Sequence, residues 1–553
     1  LNSEERLSSP MIKRNGQWLE CDWQSALEFV ADGLQAVKEK YGAQSIGALA
    51  SPHSTLEELY LLQKLGRGLG SGNVDHRLRQ TDFRGDDQLQ GAPWLGMSIA
   101  NISQLKSALV IGSSLRKDHP LIAQRLRQAV KQGAQLNVIN PVEDELLTKV
   151  ANRAIVAPNA MAAMLAQVLK AAAELKEVEI PDAAKNALSD ISVTDTARAM
   201  AASLINHKPA AIFLGNLAQH HPQYADIHAL AQHIGQIVEA TFGILGEAAN
   251  SVGAYIAGAV PGKDALKMDG GAGKPGSLGA NASQMLGMST ASIESTTAAE
   301  PCRAYVLMNL EPELDSYNPQ KAMRALDAAE LVVIMSAYKN HAVLEGNYAD
   351  VLLPIAPFTE TSGTFINTEG RVQSFNGVVA PLGDARPAWK VLRVLGNMLG
   401  LDGFEYETPE QVRAEILSAG GDVSARLDNN LRSFVLGDIR PMSGPMGGQA
   451  GNGIQRIGEV PIYQADPIVR RAESLQRTRD AAAPLAWMPG DLMDRLGIQA
   501  GDSVRLKQGD GEIQLPTGQD DKLPANCVRV VAAHPLTAAL GEMFGQIEVE
   551  RLG

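Results

Sequence analysis

Ser107-Ala108-Leu109-Val110-Ile111-Gly112, then Ser113-Ser114, Pro120, Gly133 and Leu136-Asn137-Val138-Ile139-Asn140-Pro141: this run of residues sets the fold class. An unbroken apolar run that ends on glycine reads as a strand buried on both faces. Pro120 suits the first turn of a helix, where its missing N–H has no partner to lose, and Gly133 stops that helix. A second apolar run then begins, which makes one strand–loop–helix–strand unit. On either side, similar units begin at Ser45-Ile46-Gly47-Ala48-Leu49-Ala50, Ala210-Ala211-Ile212-Phe213-Leu214-Gly215, Ala304-Tyr305-Val306-Leu307-Met308 and Leu331-Val332-Val333-Ile334-Met335-Ser336. Buried strands alternating with helices mean parallel sheets covered on both faces, so the class is α/β.

The ends of the chain read differently. Asn15-Gly16 is a two-residue hairpin turn, and Asp22 caps an amphipathic helix beginning near Trp23. Thr55 with Glu57 and Glu58 starts another. Eleven glycines between Gly243 and Gly287 suggest a long ordered loop, and residues 441–453 (PMSGPMGGQAGNG) a connector. Beyond about residue 455 short strands and turns take over, as in Gly497-Ile498-Gln499-Ala500-Gly501-Asp502-Ser503-Val504-Arg505-Leu506, and predict a small, mostly β domain.

The 553 residues carry 49 Lys+Arg against 62 Asp+Glu, a net charge of -13. That acidity argues against nucleic acid as a partner, since no basic surplus exists to neutralise phosphates. No apolar run approaches the roughly 20 residues of a membrane-spanning helix. Cys21, Cys302 and Cys527 are too scattered for a disulfide framework or an iron–sulfur site, and a reducing compartment follows. Neither Gly112-Ser113-Ser114 nor Gly215-Asn216 completes a dinucleotide or P-loop fingerprint. His220-His221, with His228 and His233, lacks metal-ligand spacing, so these histidines read as exposed or capping. Asp75-His76-Arg77-Leu78-Arg79 reads as a solvated turn, and Met161, Met164, Met285 and Met288 as core filling.

A resemblance adds to this. Ala349-Asp350-Val351-Leu352-Leu353-Pro354, Glu360, Gly363-Thr364-Phe365, Asn367, Glu369-Gly370-Arg371 and Gln373 resemble the block ADVxLP…E…GTxxNxEGRxQ of the molybdopterin oxidoreductases, the family of formate dehydrogenases and nitrate and dimethyl sulfoxide reductases. Residues 10–27, 112–120, 386–389 and 497–506 are similar to further family segments in the same order. The resemblance implies two Rossmann-like parallel-sheet domains, one of them discontinuous, and a C-terminal β-barrel of double-psi type. The expected boundaries are an N-terminal hairpin and helix over 1–41, a first Rossmann-like domain over 42–99 and 300–440, a second over 100–299, and the barrel over 455–553. Within the block, Asp350 and Glu360 are candidate partners for Arg371.

The chain departs from the family at two places. Asn73-Val74-Asp75 and Arg79 resemble the lead-in to the position that ligates molybdenum or tungsten, normally Cys, selenocysteine or Ser; here it falls at about Thr81, with Asp82 after it. A neutral hydroxyl is a poor substitute for a soft thiolate. The family's Asp-Pro-Arg, which helps hold the guanine end of the pterin cofactor, appears as Asn140-Pro141-Val142. Thr81 and Asn140 are therefore expected to be degenerate positions, with no catalytic, cofactor-binding or metal residue in this segment. A family fold without its metal ligand resembles the large peripheral-arm subunit of bacterial NADH–quinone oxidoreductase, respiratory complex I. That resemblance implies a scaffold and an upstream part bearing 4Fe-4S and 2Fe-2S clusters. Its partners would be that part and other peripheral-arm subunits, on the cytoplasmic side of the inner membrane, without nucleic acid or membrane insertion. The alternatives are an active formate- or nitrate-type molybdopterin oxidoreductase and a free-standing binding module.

Overall fold

The computed structural model describes residues 1, 3–262, 279–288, 301–346, 348–419, 421–437, 439 and 453–552. They fall into two compact units, Leu1–Arg79 with Ala248–Leu427 and Tyr463–Ala482, and Gln80–Glu247 with Asp428–Ile462 and Ala483–Gly553.

The first unit is built on a seven-stranded sheet. Its order is Gln17–Glu20, Met11–Arg14, Val351–Pro354, Leu331–Ser336, Ala304–Met308, Ile46–Ala50 and Val74–Asp75. The last five strands run parallel, and Ala304 to Met308 pair with Ile46 to Ala50 residue for residue. Sequence-distant strands therefore share one sheet, as the discontinuous Rossmann-like reading requires. The Asn15-Gly16 hairpin adds an antiparallel edge, both turn residues having positive φ. Asp22 caps the helix Trp23–Tyr41 by accepting from Ser25 N at 2.7 Å. Thr55 and Glu58 close a capping box on the helix Leu56–Leu69. That helix is buried almost all round because the helices Ala388–Met398 and Pro409–Ala419 and the strand Gly363–Ile366 pack about it.

The second unit holds a five-stranded parallel sheet in the order Asn152–Ile155, Gln135–Asn140, Ser107–Ile111, Ala210–Leu214, Thr241–Ile244. The order reverses between Ser107–Ile111 and Ala210–Leu214, and the crevice beyond the carboxyl ends of such strands is where open sheets bind ligands. A seven-stranded mixed sheet follows near the C-terminus. It runs Phe544–Gln546, Gln455–Ile457, Cys527–Arg529, Ala486–Met488, Gly511–Gln519, Ser503–Gln508, Glu548–Arg551, around a core that includes Val504, Leu506, Val528 and Leu540.

The chain passes between the units more often than the expected boundaries suggest. Residues 80–99 and 428–437 belong with the second unit, because Asp428 N donates to Ala92 O and Asn429 bonds Trp94 and Phe242. Residues 248–262 and 279–288 belong with the first, since Asn250 donates to Ser54 O and accepts from Ile366 N. The glycine-rich stretch expected to be one loop contains the helices Ser251–Ile256 and Ala282–Met285, and its residues 263–278 lie outside the described residues. All of the expected connector except Gly453 also lies outside them. Met161, Met164, Met285 and Met288 are buried core residues, as their spacing indicates.

Candidate functional site

Two regions carry the chemistry that the sequence singles out. The first follows Val74–Asp75 in the first unit. The turn 75–79, expected to be solvated, is buried throughout. Asp75 accepts from Arg77 Nε at 2.8 Å, Arg77 Nη2 at 3.0 Å and Ala282 N at 3.0 Å. Burial opposes its charge, but Arg77 outweighs that and holds the carboxyl below its usual range. Arg79 meets Asp315 at 2.7 Å, and Arg470 and Arg471 extend the network to Glu311. Dense charge here means paired charge, which is how buried ions persist.

In the second unit, Thr81 lies in a loop, and its Oγ1 is buried without a hydrogen-bond partner. Its neighbour Asp82 is committed elsewhere. The Asp82 carboxylate accepts from Arg84 Nε (2.9 Å), Arg84 Nη2 (2.8 Å) and Ala225 N (2.8 Å), the last in the first turn of the helix Tyr224–Val238. Arg84 also reaches Asp226 at 2.5 Å, and Asp226 accepts from Gly437 N. This Asp82–Arg84–Asp226 clamp was not legible in the sequence, because Arg84 and Asp226 are 142 positions apart.

The second region is the carboxyl edge of the five-stranded sheet. Gly112, with φ +56°, and Gly215 bring the two loops at the order reversal into direct contact. A Cβ on Gly112 would lie 2.5 Å from Ala218 N, and one on Gly215 2.6 Å from Gly112 O. Ala218 N donates to Gly112 O, and Ser113 N to Asn140 Oδ1 at 3.0 Å. Asn140, only 1% exposed, returns donations to Ser113 O (3.3 Å) and Val142 O (2.7 Å). Amides that could turn outward toward a phosphate are thus used within the chain itself.

Carboxylates crowd the same edge. Ser114 Oγ donates to Glu459 Oε2 at 3.3 Å, and Glu459 Oε1 accepts from Arg529 Nε at 2.8 Å. Burial, then Glu459, Asp144 and Glu247, push the Asp118 carboxyl well above its usual range. Burial and Glu459 raise Asp144 to about 6. His119, whose Nε2 is 2.9 Å from Gly246 O, is held down to about 4 by burial. Asp118-His119-Pro120, in the connection that follows the strand Ser107–Ile111, is the signal that could have found this cluster.

The remaining expectations divide. His220, His221 and His228 are buried rather than exposed, while His220 does stand at the C-cap of the helix Asn216–Gln219 and His221 Nδ1 accepts from Gln223 N at the start of the next helix. Burial lowers His221 and His228 to about 4, and both rings bond backbone carbonyls, of Pro158 and Asn429. Buried polar rings need such partners. Arg371 is exposed and pairs with Glu369. It meets neither expected partner: Glu360 takes a bidentate pair from Arg6 at 2.8 Å, and Asp350 accepts from Val332 N. The block therefore anchors the N-terminal segment rather than its own arginine.

The model of the family "Molybdopterin oxidoreductase" matches residues 6–398. A "Putative formate dehydrogenase" of Staphylococcus aureus strain MSSA476 is 25% identical over 454 residues, which are 75% of this chain and 45% of that protein. The protein of the same description in strain USA300 matches to the same extent. The chain thus spans about half the length of these curated relatives. Among solved structures, acetylene hydratase from Pelobacter acetylenicus superposes with a TM-score of 0.73 at 15% identity, over 100% of this chain and 93% of that one. That likeness concerns the fold, and the family match covers well over half of the sequence. The chain belongs to the molybdopterin oxidoreductase family.

Proposed function

We propose that this chain is a member of the family that has given up chemistry at a metal centre and serves as the rigid body of a larger redox assembly. The observation that carries this reading is the closed crevice at Gly112, Asn140 and Gly215. A pterin cofactor that ends in a nucleotide brings a pyrophosphate and needs free N–H donors and positive charge. Here Ser113 N and Ala218 N are spent on Asn140 Oδ1 and Gly112 O, and the neighbouring side chains include Asp118, Asp144 and Glu459. These residues do not fit that group. The finer form of the reading is a scaffold in NADH–quinone oxidoreductase, with iron–sulfur clusters carried upstream and other peripheral-arm subunits as partners. It rests on the sequence resemblance. Among the described residues no helix is long and apolar enough to cross a membrane.

A second reading has its own support. The Staphylococcus aureus relatives carry the description "Putative formate dehydrogenase", and Thr81, at about the position that the sequence resemblance assigns to the family's metal ligand, has a buried Oγ1 without a partner. Under that reading the chain is part of a formate-type oxidoreductase. Isolating the native assembly through a tag on the chromosomal copy separates the two. NADH–quinone reductase activity in the isolate supports the scaffold. Formate-dependent reduction of a viologen dye, without NADH dehydrogenase activity, supports the enzyme.

A further inference from the structure

Residues 358–382 of the first unit bring exposed apolar side chains and an open strand edge to one place. Five of the fifteen large apolar side chains that stand exposed among the described residues fall in this stretch: Phe358 (49%), Val372 (36%), Val378 (78%), Val379 (57%) and Leu382 (47%). Backbone bonds make them neighbours in space as well. Val378 N and Val379 N both donate to Thr359 O, beside Phe358, and Leu382 N donates to Glu360 Oε2 at 3.2 Å. A contiguous apolar patch marks an interaction site, whereas single exposed apolar side chains need no explanation.

The strand edge is an independent observation. Gly363–Ile366 and Val372–Phe375 form a two-stranded antiparallel sheet, with Phe365 opposite Gln373 and Ile366 opposite Val372. Asn367 N donates to Arg371 O, which fixes the alternation of the ladder. Arg371, Gln373 and Phe375 turn their backbone groups toward the partner strand, and Val372 and Ser374 turn theirs away. Among the described residues nothing pairs with the outward N–H and C=O of Val372 and Ser374. The side chains of Thr364 and Ile366 are buried in the body. Those of Phe365, Gln373 and Phe375 stand on the opposite, outer face, with the two rings 5.2 Å apart. Free main-chain groups beside exposed apolar side chains are a template for one more strand.

Charge indicates what that strand carries. Between Glu369 and Asp402 lie Arg371, Arg386, Lys390 and Arg393 against the single acid Asp384, a local cationic surplus in a chain of net charge -13. Arg386 and Lys390 are exposed and meet no carboxylate among the described residues. Glu360, the acid beneath the apolar patch, is spent on Arg6. Acidic groups on the occupant therefore complement this rim. Lipid tails offer nothing to open main-chain groups. A second copy on the same edge would set cations against cations, because a two-fold contact uses one patch twice.

We propose that Val372–Phe375 and the loop 376–382 form a docking surface for an extended segment of another polypeptide, apolar at alternate positions and bearing Asp or Glu, which adds to the ribbon as a third strand. The surface does not depend on what the crevice at Gly112 holds, so it stands under either reading of the function.

Photocrosslinking in the native assembly tests it. Benzoylphenylalanine replaces Gln373 or Val378 in the chromosomal copy, the cells are irradiated, and crosslinked peptides are identified by mass spectrometry. Crosslinks from both positions should fall within one short segment of one other polypeptide, with Asp or Glu close by in its sequence. Val372→Pro removes a donor that serves no bond within the ribbon, so the melting temperature should hold. Crosslink yield should nevertheless fall about tenfold, the order of one or two hydrogen bonds. Arg386→Glu combined with Lys390→Glu should lower the yield to a similar extent, and this variant decides the matter if Val372→Pro fails to fold. Crosslinks confined to lipid, to a second copy or to this polypeptide itself overturn the proposal. So does the absence of crosslinks at both positions, or an undiminished yield in the folded variants. Such a failure leaves the scaffold reading untouched, whereas molybdenum in the assembly would overturn the scaffold and leave this surface standing.

Discussion

Asn140→Asp restores the acid that the family carries at this strand end, and the structure makes it a damaging change. Asn140 is buried with three bonds: it accepts from Ser113 N and donates to Ser113 O and Val142 O. A carboxylate keeps the first bond and strengthens it, because a charged acceptor is better than a neutral one. It loses both donations and sets its charge against two carbonyl oxygens. Each buried bond contributes about 1 kcal/mol net, and an acceptor left facing a like partner costs about 1–3 kcal/mol more. The expected loss is about 3 kcal/mol at pH 8, read as a lowered urea midpoint by circular dichroism. Below the acid's pKa the protonated side chain can donate one bond back, so the deficit should shrink toward about pH 4. A variant as stable as the parent at pH 8 would defeat this prediction, since the crevice would then accept an acid as readily as an amide.

Four further outcomes follow from buried charge. Arg84→Ala leaves Asp82 and Asp226 buried without their cation and should destabilise the second unit by about 3–5 kcal/mol in the same assay. Arg6→Ala should cost a similar amount in the first unit by stranding Glu360, whereas Arg371→Ala, at an exposed ion pair, should stay within about 0.5 kcal/mol of the parent. Glu58 is raised by burial to about 7, above its unfolded value, so its penalty is absent below about pH 4.5 and grows as pH rises toward 7. Glu58→Gln, which keeps an acceptor for Thr55 N, should therefore match the parent at pH 4 and exceed it by about 2–3 kcal/mol at pH 8; equal stability at both pH values would rule out that burial cost.

The layers were legible because strand burial writes itself as local apolar runs. Ser107 to Ile111, Ala210 to Leu214 and Ala304 to Met308 each needed no partner to be recognised, and Asn15-Gly16, Asp22, Thr55 and Pro120 act within a turn of themselves. What the sequence hid depends on distant partners. Asp75 to Arg79 looks like a solvated turn until Ala282 and Asp315 are beside it. Arg371 and Glu360 share a block, yet Glu360 is taken by Arg6, 354 positions away. The histidines 220, 221 and 228 looked exposed because nothing local predicts that backbone carbonyls of other elements will receive two of them. At the candidate site, Thr81 and Asn140 were recognisable as departures from a family pattern, but their surroundings were not.

If this chain keeps the family's fold and lacks its metal centre, elemental analysis of the native assembly will show it. The assembly should be isolated from its own cells grown with ample molybdate and tungstate, and its molybdenum, tungsten and pterin measured per chain. None should rise above background, and Thr81→Ala should change nothing. About one molybdenum or tungsten per chain, lost on Thr81→Ala, would contradict the scaffold reading and identify Thr81 as the ligand.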